Sequence, residues 1–338
     1  MSGDEKVGLM EARSALQAEC LRVFPVVRKQ VDAHRNTFIW QMDKGLENSV
    51  FGTPVDQAHN ANLTTDQVRR IARENGKIYS QACMAITPKV LALSSSIESL
   101  SYGTLSLHEE LNCFRSIVER LAVLEASLRK IAHKTSLPEI KSFGDLLEVR
   151  ESIWPLIGTR FSWSDLQVVD FPEMPSKTDY LHDAAETRVD LSARNILNQI
   201  DRLQKEESYK GIRPFYNFCC EFVHPNIGDN LATTRKKRIV RTQGGQLAYM
   251  TEYNENPLVT SSDDSDFFIL FSKAYAFGTM LAREAERVTL QYGILLNKIE
   301  RVNQKCAHKV VKRQKNVFSR DDFCPCGSGR SIRVCAFR

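Results

Sequence analysis

Apolar side chains recur at three- and four-residue steps along most of this chain, the pattern of helices with one buried face. From about residue 5 to 48 the step is carried by Leu9, Leu16, Leu21, Phe24, Val27 and Val31. A polar stretch with Gly52, Pro54 and the run Asn60-Ala61-Asn62 interrupts it. The sequence Thr64-Thr65-Asp66-Gln67 predicts a new helix start, with Thr64 as the cap and Gln67 three residues on. Pro88 is expected to break that helix, with another following toward Tyr102. The clearest helix covers 106–134. There Leu111, Phe114, Ile117, Val118, Leu121, Leu124, Leu128 and Ile131 form one broad arc at about 100° per residue. Glu125 and Arg129 fall inside that arc, and Arg115 and Glu119 lie at its edge.

Residues 135–178 are less regular, with Pro138, Pro155, Pro172 and Pro175. A long helix is predicted from about 179 to 207 and another over 214–224, stopped by Pro225, Asn226 and Gly228. Next, RKKRIVRTQGGQLAYMTEY alternates on both sides of Gly244-Gly245 and reads as a β-hairpin with a two-residue turn. The polar run 261–266 is a turn or cap, and a helix from about 267 to 305 follows. The expected fold is mainly α: a helical bundle with one inserted β-hairpin and a short zinc-knuckle-like C-terminal tail. Its expected parts are an N-terminal helical region 1–95, a helical core 96–305 with the hairpin near 235–253, and a basic linker with tail over 306–338.

Charge and composition narrow this only a little. A length of 338 residues suits one large or two modest domains. A net charge of +5 is mild and demands no polyanionic partner. No apolar run is long enough to span a bilayer, and the charged start carries no secretory signal, so a cytoplasmic protein is expected. Cys20, Cys83, Cys113, Cys219, Cys220 and Cys306 are scattered through helical patterns, as reduced core thiols are.

The other three cysteines are different. Cys324 and Cys326 flank one proline, Gly327 and Gly329 permit a tight turn, and Cys335 returns from the far side. Thiolates so spaced favour zinc. The stretch RDDFCPCGSGRSIRVC resembles the SEC-C motif, the zinc-binding tail of the SecA translocation ATPase. The resemblance implies Cys324, Cys326 and Cys335 as zinc ligands and a tail that recruits a protein partner. It departs from the motif at Ala336, where the family carries its fourth ligand, and has Ile332 where the basic stretch usually holds an aromatic. The expectation is a weak or partner-completed structural zinc site, with Cys306 or His308 as donors that would have to reach back over a long interval. Before the tail lies a basic run of Lys305, His308, Lys309, Lys312, Arg313, Lys315 and Arg320. It reads equally as a solvated linker or as a track for RNA.

Three constellations in the helical part can carry chemistry. Tyr216, Cys220 and His224 share one side of the 214–224 helix, with His224 at its end as a capping group or a general base. Glu125 and Arg129 read as an internal ion pair or as part of a polar pocket with His224. Arg115 and Glu119 stand four residues apart. Residues 96–305 loosely resemble HEPN and abortive-infection helical domains. That resemblance implies Arg115, Glu119, Tyr216 and His224 as candidate catalytic residues of a metal-independent ribonuclease acting as a homodimer. Two Arg-to-His spacings of the HEPN type occur, Arg28 to His34 and Arg301 to His308, but Lys29 and Val302 replace the polar residue that usually follows the arginine. No P-loop, dinucleotide turn, GxSxG or HExxH occurs.

Three functions follow. The leading expectation is a bacterial helical interaction protein with a recruitment tail, in phage defence or stress response. The alternatives are a HEPN-like ribonuclease or toxin, and an RNA- or ribosome-associated protein. The last would use Arg235, Lys236, Lys237, Arg238, Lys309, Lys312 and Arg313.

Overall fold

The computed structural model describes residues 3–34, 65–134, 143–153, 156, 196–223, 234–241, 244, 247–253, 265–313, 316–326 and 330–336. The fold is mainly α. Helices α1 (Gly3–Ala33), α2 (Thr65–Ser101), α3 (Leu107–Lys134) and α4 (Phe143–Ile153) precede the short α5 (Ile196–Leu203) and α6 (Ile212–Val223). Strands β1 (Thr234–Arg241) and β2 (Leu247–Tyr253) pair antiparallel, and α7 (Ser265–Arg313) and α8 (Ile332–Cys335) close the chain. The last described pair is Arg241 with Leu247, and the expected two-residue turn at Gly244-Gly245 lies outside the described residues except for Gly244.

Three boundaries differ from the helical periodicity. The expected break at Pro88 does not occur: α2 runs on to Ser101 with Pro88 inside it. Pro88 is exposed while Ala85, Ile86 and Val90 are buried, so solvent can serve the carbonyl that loses its donor. Residues 306–313, read as the start of a linker, continue α7. Their buried members Ala307, Val310 and Val311 supply the packing that the charge-rich sequence conceals. The helix expected over 179–207 ends at Leu203 and is followed by a short 3-10 turn over Glu207–Tyr209, while residues 179–195 and the Thr64 cap lie outside the described residues.

The chain forms two compact units, neither a continuous stretch of sequence, and α1, α2, α3 and α7 each contribute residues to both. The first unit holds residues 1–30, 90–123 and 196–289. Its core is aromatic: Phe114 packs against Phe215 and Tyr275 with ring centroids 5.6 and 6.2 Å apart, and Phe215 lies 4.6 Å from Phe277. Glu110 is buried in this unit and accepts hydrogen bonds from Tyr275 and from Arg13, whose Nη2 is 2.6 Å away. Arg13 also donates to the Leu105 carbonyl at 3.2 Å. A buried carboxylate is tolerable because it is matched. The start of α3 is a capping box. The Ser106 amide donates to Glu109 at 2.8 Å, and the Glu109 amide donates back to Ser106 Oγ at 3.4 Å.

The second unit holds residues 31–89, 124–195 and 290–338. Ile78, Ile86, Leu128, Leu146, Leu295 and Ile299 are among its buried side chains, and the Tyr292 hydroxyl donates to the Leu124 carbonyl at 2.8 Å. No helix among the described residues is long and apolar enough to cross a membrane.

Gly278 on α7 gives a test of the aromatic core. A Cβ there would collide with the ring of buried Phe114, closest at Cε1 and 2.8 Å from Cζ. Helix propensity favours Gly278→Ala by up to about 1 kcal/mol, and overpacking opposes it by about 1–3 kcal/mol. We expect a net loss of about 1 kcal/mol or more in urea unfolding. A more stable Gly278→Ala protein would show that Phe114 has room to move.

Candidate metal centre

The C-terminal segment is folded by backbone hydrogen bonds between its two arms. The Cys324 amide donates to the Arg330 carbonyl, Ile332 to Asp322, and Arg333 to Arg320, each at 2.8 Å, and Phe323 forms an antiparallel bridge with Ser331. One turn of helix, α8, then carries Cys335 back, its amide bonded to the Ser331 carbonyl at 2.9 Å. This packing places Cys324, Cys326, Ile332 and Ala336 in a small buried cluster with Ala307 and Val311 of α7, flanked by Phe318 and Cys335. Two polar ties fix the segment. Asn303 Nδ2 donates to the Cys326 carbonyl at 2.9 Å, and Arg69 of α2 donates to the Val317 carbonyl.

The fourth donor comes from α7. His308 Nε2 lies 3.2 Å from Cys335 Sγ, Cys335 Sγ lies 3.5 Å from Cys326 Sγ, and the four donor atoms of His308, Cys324, Cys326 and Cys335 all fall within 4.8 Å of one another. A tetrahedral ion with sulfur at about 2.3 Å holds its sulfurs about 3.8 Å apart. The group therefore has the separations such an ion needs, and it can hold a metal. The hydrogen bond with Cys326, followed by burial, holds the Cys324 thiol far above its ordinary range. A bound cation would displace those protons.

Position 336, where the resemblance to the SEC-C motif calls for a ligand, carries a methyl group that is 2% exposed within the cluster. Of the donors the sequence left open, His308 of the chain itself stands with the three thiols. Cys306, the other donor considered, is not in the group. The signal for His308 was present in the sequence, one residue after Ala307 in the series Asn303, Ala307, Val311 that faces the segment. Recognising it required knowing that α7 extends past residue 305.

The remaining site candidates are dispersed. Arg115 Nε and the Tyr216 hydroxyl both donate to Glu119 Oε1, at 3.1 and 2.9 Å. One carboxylate oxygen thus ties α3 to α6 within the first unit. Burial, then the bond to Glu119, pushes the Tyr216 hydroxyl well above its ordinary value. His224 lies outside the described residues, so a pocket joining it to Glu125 is not described. Glu125 is buried and pairs with Arg129 at 3.8 Å. Of the Arg-to-His spacings, His34 is buried with Nδ1 3.0 Å from the Tyr79 hydroxyl, and burial lowers its pKa. His308 belongs to the metal group. Arg235, Lys236, Lys237 and Arg238 lie on β1, with Lys236 opposite Glu252 in the ladder. Lys309, Lys312 and Arg313 are exposed on the last turns of α7.

Comparison of the chain with protein-family models, curated proteins and solved structures finds no match to any of them.

His308 and Cys306 separate the two donors that the sequence left open. We expect His308→Ala to lower metal affinity at least about tenfold in a competition titration against a chromophoric chelator, and Cys306→Ser to leave it unchanged. Equal affinities for all three proteins would remove His308 from the ligand set.

Proposed function

We propose that this protein is a helical binding protein whose C-terminal segment is a zinc-dependent docking module, held to α7 by the metal. The observation that carries the reading is the convergence of His308 with Cys324, Cys326 and Cys335. Three thiolates and one imidazole favour zinc over harder cations. Four protein donors fill a tetrahedral shell and leave no position open for substrate, which is the pattern of structural zinc rather than of a catalytic ion. The segment itself is too small to hold a core without help, and a metal bound across it and α7 supplies that help.

The module carries Phe323 and Val334 on its surface, 54% and 42% exposed, among the exposed Arg330 and Arg333. Apolar side chains rimmed by arginine suit a protein partner, whose contacts concentrate on aromatic and arginine anchors. Recruitment of such a partner is the function these features support best.

The test uses the full-length protein. We expect one zinc per chain by elemental analysis. A high-affinity chelator should raise amide exchange through 316–336 and the last turns of α7, with the aromatic core of the first unit unaffected. A chain that lacks zinc when purified from metal-replete cells, and whose tail exchanges identically with and without chelator, would sink the proposal.

A further inference from the structure

From Lys298 to Arg313 every exposed residue of α7 is a cation: Arg301, Lys305, Lys309, Lys312 and Arg313. At about 100° per residue they fall within about 120° of arc. Arg301, Lys305, Lys309 and Arg313 succeed one another four residues apart, so they climb the helix in steps of about 6 Å. The single carboxylate in this stretch, Glu300, lies away from that arc and accepts a hydrogen bond from Gln304 at 3.0 Å. None of the five cations has a salt bridge to another described residue. Lys312 and Arg313 sit in the last turn, where they complement the helix dipole. That effect fades within one turn and does not account for Arg301, Lys305 and Lys309.

We infer that this row binds a nucleic-acid phosphate backbone, without reading its sequence. An evenly spaced line of single positive charges on a rigid helix matches a linear polymer of single negative charges. No exposed residue between Lys298 and Arg313 is aromatic or aliphatic, and Val302, which falls within the arc, is buried. The arc therefore lacks the anchors that a protein interface needs and the apolar face that a membrane-surface helix buries. The module side of α7, marked by Asn303, Ala307 and Val311, is offset by two residues, about 200° around the helix. His308 of the metal group lies at the edge of the cationic arc, next to Arg301 and Lys312 around the helix. This inference goes beyond the docking role above and does not depend on the metal.

The experiment is fluorescence anisotropy on the full-length zinc-loaded protein with a labelled 20-nucleotide single-stranded RNA and a 20-base-pair duplex DNA, from 50 to 300 mM salt. Five contacts predict a slope of log K against log salt of about −3.5 for the single strand and about −4.5 for the duplex. The triple variant Lys305→Gln/Lys309→Gln/Lys312→Gln should weaken binding at least tenfold and reduce the single-strand slope by about 2. The pair Lys205→Gln/Lys210→Gln, exposed in the first unit, should change neither. The exposed substitutions should leave the thermal midpoint in place, and zinc content is read on the same samples, so loss of the metal and loss of this surface are told apart. Equal binding by the triple variant, no binding to either nucleic acid, or capture only by anionic phosphatidylserine vesicles would each overturn the inference. The larger of the two affinities assigns the surface to RNA or to duplex DNA.

Discussion

The last turns of α7 carry two interleaved series of residues four apart, offset from each other by two. Asn303, Ala307 and Val311 face the C-terminal segment, and Arg301, Lys305, Lys309 and Arg313 face solvent. Helical geometry forces the two series to nearly opposite sides, because two residues turn the helix by about 200°. The metal group depends on this arrangement, since His308 reaches the three cysteines only if the chain stays helical through it. Unwinding α7 after residue 305 would remove the fourth donor, the apolar seat of the module and the even spacing of the cations together.

A ligand from a long helix changes what a metal does for a short tail. With all four ligands within the tail, the ion would close only a local loop, and the module could separate from the helices without losing it. Were an ion held by His308 together with the three thiols, metal binding and packing on α7 would become one equilibrium. The buried contacts of the segment would add to that equilibrium: Ile332 and Ala336 cluster with Ala307 and Val311, and Asn303 donates to the Cys326 carbonyl. Ala336 fits here as a packing residue. A larger polar side chain there would have to be accommodated in a cluster that is already closed to solvent.

The first unit solves a different problem, that of polar groups within an aromatic core. Glu110 is matched by Arg13 and Tyr275, and Glu119 by Arg115 and Tyr216. In both cases a tyrosine hydroxyl and a guanidinium from separate positions converge on one carboxylate. Buried Glu110 specifies which elements lie together, because a mismatched pairing would leave it unsolvated, whereas Glu119 is partly exposed and depends less on its partners. The Arg115–Glu119 pair was visible from its spacing. The Glu110 network was not, since Arg13 and Tyr275 are remote from Glu110 in sequence.

Periodicity alone determined the helical character of the chain and the buried arc of α3, because an apolar face repeats locally and needs no knowledge of its partner. Spacing and residue type alone singled out Cys324, Cys326 and Cys335, since a tight turn between thiols is a local property. The length of α2 and of α7 was decided by packing. Buried Ile86 and Val90 outweigh Pro88, and buried Ala307, Val310 and Val311 carry a basic stretch into the helix. The fourth member of the metal group was likewise decided in three dimensions. Its distance from the cysteines along the chain is long, and only the return of the tail along α7 makes it short. Local chemistry could name the donors, but the separation between them belongs to the fold.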